Sequence, residues 1–176
     1  MTFHSISYSA VSIQPVAFII RSNRTTGGGE DLYFDPAGND AVTWTPDTTN
    51  YADVDDGTRQ PGVPGTDKIT TWIPGSSDDF TVTQTVTFAG NSASIDLWAY
   101  VYDSTAAPNN IQFNLYIAAA WQGAVGITAG PALTWYSVNF VGAWTQAQVR
   151  ACKIRITKNS ASASSRCDGF YGLVNL

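Results

Sequence analysis

Apolar and polar residues alternate with a period of two along most of this chain, and that periodicity argues against a helical fold before any motif is considered. In a strand, successive side chains point to opposite faces, so strict alternation means one face inward and one toward solvent. Phe80, Val82, Val86 and Phe88 alternate with Thr81, Thr83, Thr85 and Thr87, with Gln84 the one polar residue on the apolar side. Ile95, Leu97, Ala99 and Val101 alternate with Asp96, Trp98, Tyr100 and Tyr102, and Ile111, Phe113, Leu115 and Ile117 alternate with Gln112, Asn114, Tyr116 and Ala118. Further strands are expected at Thr2–Ser9, Ser12–Arg21, about Leu32–Phe34, Ala41–Trp44, Lys68–Trp72, Leu133–Phe140, Val149–Thr157 and Gly169–Val174. Turn signals separate them, among them Pro36-Ala37-Gly38-Asn39, Pro74-Gly75, Gly90-Asn91 and Pro108-Asn109-Asn110. Roughly eight to ten strands at this spacing predict an all-β, antiparallel β-sandwich. The one helical turn expected begins at Thr145, where Thr145 and Gln148 stand at capping-box spacing.

At 176 residues the chain reads as a single domain with enough core to stand without disulfides or metal. Residues 22–66 are turn-rich and predict a long, irregular excursion, and residues 158–166 a small-residue loop. Pro15–Ile20 is too short for a membrane span and lacks the flanks of a secretory signal. Cys152 and Cys167 fall on what reads as the last hairpin. A turn centred near Ala161–Ser162 puts them out of register, whereas a tight turn at Asn159–Ser160 makes them partners; two buried, inert thiols is the reading taken.

Charge is sparse, and it is divided. Residues 1–103 hold thirteen acids against four bases, and residues 104–176 hold one acid, Asp168, against five bases, Arg150, Lys153, Arg155, Lys158 and Arg166. Either the two regions share one folded surface, or they provide self-complementarity in an assembly. The acidic balance of −5 argues against a phosphate-tracking groove, so no nucleic-acid partner is expected, and no membrane partner either.

Catalytic parts are scarce: the chain has one histidine, His4, near its end, and one glutamate, Glu30, after three glycines. No nucleophile elbow, P-loop, zinc-ligand cluster or dinucleotide fingerprint is present, so no enzyme activity, catalytic residue or cofactor is expected. Asp53, Asp55 and Asp56, with Asp67, Asp78 or Asp79, are candidate oxygen ligands for a cation, but the run fails the EF-hand spacing and is read as turn carboxylates. Twenty-two aromatic residues point instead to contact. Trp98, Tyr100 and Tyr102 share one strand face, with Tyr116 expected beside them on a neighbouring strand. Such a row suits a protein interface, a sugar ring, or burial as a second apolar layer. Trp44, Trp72, Trp135 and Trp144 are expected to pack at core edges.

The series Tyr51-Ala-Asp-Val-Asp-Asp56, a Pro/Gly stretch, Thr66-Asp67-Lys-Ile69, Asp78-Asp79-Phe80, then Leu133-Thr-Trp135, Trp144-Thr145, Val149, Ile154-Arg-Ile156 and Cys167-Asp168 resembles jelly-roll modules of tailed-bacteriophage virion proteins, of head-decoration or tail and adhesion type. The resemblance covers about residues 44–176, leaving 1–43 as an N-terminal extension with added strands. It implies a jelly-roll-like sandwich with long turn-rich loops, and a non-enzymatic capsid decoration or stabilising role. It also implies assembly in a host cytoplasm into a virion, with the major capsid protein or other virion subunits as partners. A homo-oligomer follows, a trimer being favoured by capsid symmetry. The alternative expectation is a carbohydrate- or receptor-binding module of a phage tail or of a secreted polysaccharide-active protein, for which a glycan is the ligand.

Overall fold

The computed structural model describes residues 32–46, 52, 54, 60–161 and 164–176. The strands expected at Thr2–Ser9 and Ser12–Arg21, together with His4, Glu30, Asp53, Asp55 and Asp56, lie outside the described residues.

Two antiparallel sheets face each other. The first runs β3 (Thr45–Pro46), β4 (Ile69–Thr71), β12 (Ser165–Asn175), β6 (Ser94–Asp103), β10 (Thr134–Val141), with β1 (Tyr33–Phe34) pairing β12 beyond β4. The second runs β2 (Pro36–Ala41), β5 (Ser77–Val82), β11 (Lys153–Lys158), β7 (Ile111–Ile117), with β8 (Ala120–Trp121) and β9 (Val125–Ile127) sharing the far edge of β7. Every pairing among the described strands is antiparallel, and the two layers make a jelly-roll-like β-sandwich.

The alternation read from sequence decides which atoms meet inside. Ile95, Leu97, Ala99 and Val101 of β6 are wholly buried, as are Ile111, Phe113 and Leu115 of β7 and Ile154 and Ile156 of β11. Phe170 of the first sheet bridges the layers, 6.1 Å from Phe80 and 5.6 Å from Phe113 of the second. Thr145 caps the helix α1 (Gln146–Arg150), where its hydroxyl accepts from Gln148 N and the Gln148 side chain accepts from Thr145 N, the capping box expected from their spacing.

Several expectations are corrected. β11 begins at Lys153, because Val149 and Arg150 belong to α1. The Phe80–Phe88 alternation leaves the ladder after Val82, although Val86 and Phe88 remain buried. Pro36-Ala37-Gly38-Asn39, read as a turn, is an edge strand; proline and glycine are tolerated there, and two register shifts against β5 show the bulging they cause.

The last two strands do not form a hairpin. β11 pairs β5 and β7 while β12 pairs β6, β4 and β1, so the chain crosses from one sheet to the other after Lys158. Cys152 and Cys167 are therefore separate buried thiols with no bridge, and burial pushes the Cys152 thiol up to about 12. At the crossing, Lys158 on the inward face of β11 is fully buried, its Nζ 3.7 Å from Oδ2 of the equally buried Asp103 at the end of β6. Lys158 Nζ donates to Ser165 Oγ at 3.1 Å, while Ser165 and Ser160 donate to Asp103 Oδ2. The divided charge thus closes on itself, with Lys153–Asp40, Arg155–Asp79 and Lys158–Asp103 each joining a late base to an early acid in one folded body.

One turn is strained. Ala118 and Ala119 connect β7 to β8 with φ of 53° and 63°, left-handed values that cost an L-residue with a Cβ roughly 1–2 kcal/mol each. The double substitution Ala118→Asn, Ala119→Gly supplies the residues a two-residue hairpin prefers. Chemical denaturation should show it more stable than the parent by about 1 kcal/mol or more; an unchanged midpoint would mean the strain is relieved elsewhere.

Candidate functional site

The two outer faces of the sandwich both carry aromatic residues, and they differ in how those rings are used. On the first sheet Trp98, Tyr100 and Tyr102 point outward from β6, as alternation required, and all three are half-buried. Trp98 stacks on Tyr171 of β12 with ring centroids 6.2 Å apart and planes 5° apart. Tyr100 leans on Trp135 of β10 at 5.3 Å, and Trp135 meets Tyr171 edge-on at 5.5 Å. The chain then folds over them: Trp135 donates its Nε1 to Gly62 O at 2.7 Å, and Pro64 lies against the backbone at Gly169. The Trp98 Nε1 is buried without a hydrogen-bond partner. Tyr102 sits opposite Arg166, whose guanidinium is bound by Asp168 at the bulge in β12. These rings are spent largely on one another.

Tyr116 is not beside them. It lies on β7 in the second sheet, on the opposite outer face of the molecule, because β7 pairs β11 rather than β6.

There Tyr116 has a different neighbour. The turn through Ala118 and Ala119 brings Trp121 directly opposite Tyr116, with ring centroids 5.3 Å apart at 63°. Cross-strand register then lays a row across the sheet, Trp121, Tyr116, Lys153 and Thr81, beside a second row of Asn114, Arg155 and Asp79. With strands ~4.8 Å apart, a row of four spans ~14 Å. The Arg155 guanidinium carbon lies 4.0 Å from the Trp121 ring centroid and the Lys153 Nζ 5.8 Å from that of Tyr116.

Both cations are held by carboxylates. Arg155 grips Asp79 with two parallel bonds, and Lys153 donates to Asp40 at 2.7 Å. Their hydrogen bonds to these acids raise the pKa of Arg155 and of Lys153. Trp121 remains 37 % exposed, with the half-buried Gln112, Asn114 and Thr157 on the same face. At one end a shallow apolar cleft of about 470 Å³ opens between the hairpin tip and α1, lined by Tyr116, Ala118, Ala119, Ala147, Gln148 and Ala151.

No protein-family model and no curated protein matches the chain. Among solved structures, the Agl-KA catalytic domain is similar with 14 % identity and a TM-score of 0.46, covering 84 % of this chain, which spans 28 % of that one. A carbohydrate-binding module of Cellvibrio mixtus lichenase 5A, in complex with cellotriose, is similar with 15 % identity and a TM-score of 0.43, covering 81 % of this chain and 92 % of its own. The CBM36-1 domain of a xylanase from the hindgut metagenome of Trinervitermes trinervoides shows 8 % identity and a TM-score of 0.41, covering 80 % of this chain and 94 % of its own.

Sequence reasoning missed Trp121 because the residues before it, Ala118-Ala119-Ala120, carry no turn signal and break the alternation. The usable signal was spacing: across a two-residue turn after Ile117, residues 116 and 121 become cross-strand partners. The five bases of residues 104–176 are dispersed. Arg150 bonds Val86 O, Lys153 and Arg155 face outward on the second sheet, Lys158 points into the core, and Arg166 lies on the first sheet. Asp78 and Asp79, offered as cation ligands, serve otherwise: Asp78 Oδ1 accepts from the backbone of Thr43 and Trp44, and Asp79 binds Arg155. Among the described residues no group of three or more His, Cys, Asp or Glu could hold a metal ion.

Proposed function

We propose that the protein is a non-catalytic binding module that holds a polysaccharide against the outer face of its second sheet. The observation that carries this reading is the exposed Trp121 packed on the half-buried Tyr116, set beside ion-paired Arg155 and Lys153 and the amides of Asn114 and Gln112. Aromatic rings give a sugar's apolar ring face a flat partner at little rotamer cost. A few fixed polar groups beside them set the orientation of hydroxyls. Arg155 and Lys153 are charged across the physiological range at their ordinary pKa values, and their bonds to Asp79 and Asp40 shift both further up, which suits a fixed contact rather than proton transfer.

The test is a panel of soluble linear polysaccharides titrated against the full chain. Saturable binding that falls at least about tenfold in Trp121→Ala is expected, since an exposed aromatic anchor contributes about 1.5 kcal/mol or more. A second reading, a virion decoration component acting through repeated contacts with capsid subunits, is favoured by Trp72 and Ile73. They stand 61 % and 65 % exposed on the β4–β5 loop, which Gly75 N to Lys158 O and Ser76 Oγ to Ile73 O hold in place. Silence across the panel, together with capsid-shell association abolished by Trp72→Ala, would favour that reading over the first.

A further inference from the structure

Among the described strands, four edges bound the two sheets, and three of them are blunted. β3 is two residues long and ends in Pro46; β2 contains Pro36 and Gly38, bulges twice and carries the Lys153–Asp40 ion pair; β8 and β9, which share one edge, are two and three residues long. Short length, proline, bulges and charge are the features that keep sheet edges from pairing with other chains. β10 has none of them. It is eight residues long, Thr-Trp-Tyr-Ser-Val-Asn-Phe-Val, with no charge, proline or glycine, and among the described residues its only ladder is with β6. β9 lies near β10 without pairing to it.

Which backbone groups face out follows from the ladder. Gly142 N donates to Ala93 O and Asp103 N points toward β10 to meet Gly130 O, so Phe140, Val138, Tyr136 and Thr134 are the residues that exchange hydrogen bonds with β6. Trp135, Ser137, Asn139 and Val141 therefore present their N–H and C=O groups to the free edge. The same four carry the outward side chains, and Val141 is 81 % exposed.

We propose that β10 pairs with β10 of a second copy across a two-fold axis, joining the two first sheets into one continuous sheet. A two-fold centred on Val138 is the register in which all four free-edge residues of β10 find their partners within the same set of four. It places Trp135 opposite the second copy's Val141, and Ser137 opposite the second copy's Asn139. Apolar thus meets apolar and amide meets hydroxyl, while on the inner face Tyr136 meets Phe140 and Val138 meets itself. Each of the four outward pairs exchanges two backbone hydrogen bonds, and the exposed Val141 is covered by an indole ring. The contact is isologous and closed, which a dimer requires, and it leaves the Trp121 face on the opposite sheet free.

The experiment is sedimentation velocity on the full chain from micromolar to millimolar concentration. A species of twice the 18.9 kDa chain mass is expected. The Ser137→Lys, Asn139→Lys variant sets like charges opposite each other and should sediment as a monomer with unchanged circular dichroism. The Ser137→Asp, Asn139→Lys variant sets opposite charges there and should restore the dimer, which no other register does. A monomeric parent, a trimer, a dimer indifferent to the paired lysines, or a failure of the Asp/Lys variant to dimerise would each overturn the proposal.

Discussion

Lys158→Met is expected to lose ~3–5 kcal/mol of folding stability, the cost of leaving one member of a buried ion pair without its partner. Lys158 and Asp103 are both fully buried where the chain crosses between sheets, and the hydroxyls of Ser160, Ser165 and Thr105 bond to the pair. Removing the ammonium takes away the buried charge that faces the Asp103 carboxylate, which keeps its hydrogen bonds from Ser160, Ser165 and Thr105. Lys158→Met combined with Asp103→Leu should be much less damaging than the two single losses added, because the second change removes the buried carboxylate that the ammonium faced. Additive losses in urea unfolding would show that the two groups do not act together. The pH dependence has a definite sign. Burial lowers the Lys158 pKa below its ordinary value near 10.5, and Asp103 opposes that shift only in part. The unfolded chain therefore binds the proton more readily, and this group's contribution to stability rises with pH through the lowered value, levelling off near 10.5. The difference between parent and Lys158→Met should widen in the parent's favour over that window.

Gly172→Ala is expected to cost about 1–3 kcal/mol through overpacking and to act locally. A Cβ at Gly172 would lie 2.0 Å from Phe34 Cζ and 2.2 Å from its Cε2, and Phe34 is fully buried. The ring lies on the backbone of β12 at the pair Phe34–Gly172, so a methyl there must push β1 off the sheet. Hydrogen exchange gives the local readout: Val174 N, which donates to Leu32 O at 2.8 Å, should exchange faster in the variant while amides in β7 and β11 do not. Adding Phe34→Leu should recover part of the loss. Uniform acceleration across both sheets, or no change at Val174, would contradict a local clash.

The strands were legible wherever one face is buried, because the core enforces the period-two pattern. The same parity also pointed to the buried ion pair. Lys158 continues the inward series of Ile154 and Ile156, and Asp103 that of Ile95 to Val101, yet both read as ordinary charges. Sheet membership was not legible, since alternation reports which way a side chain points and not which strand lies alongside. That is why Tyr116 was placed with Trp98 and why β11 and β12 were read as a hairpin. β2 was hidden by Pro36 and Gly38, which an edge strand tolerates, and Trp121 by a turn made of two alanines in the left-handed region.

The most direct test of the binding face is to compare Trp121→Ala with Trp98→Phe by titration calorimetry, using the linear polysaccharide that the parent chain binds most tightly. Trp121 stands exposed on its row with Tyr116 and Arg155, whereas Trp98 is half-buried and stacked on Tyr171. Affinity should fall at least about tenfold in the first and stay within about twofold of the parent in the second. Retained binding in Trp121→Ala, or a loss confined to Trp98→Phe, would contradict the account and move the site to the first sheet.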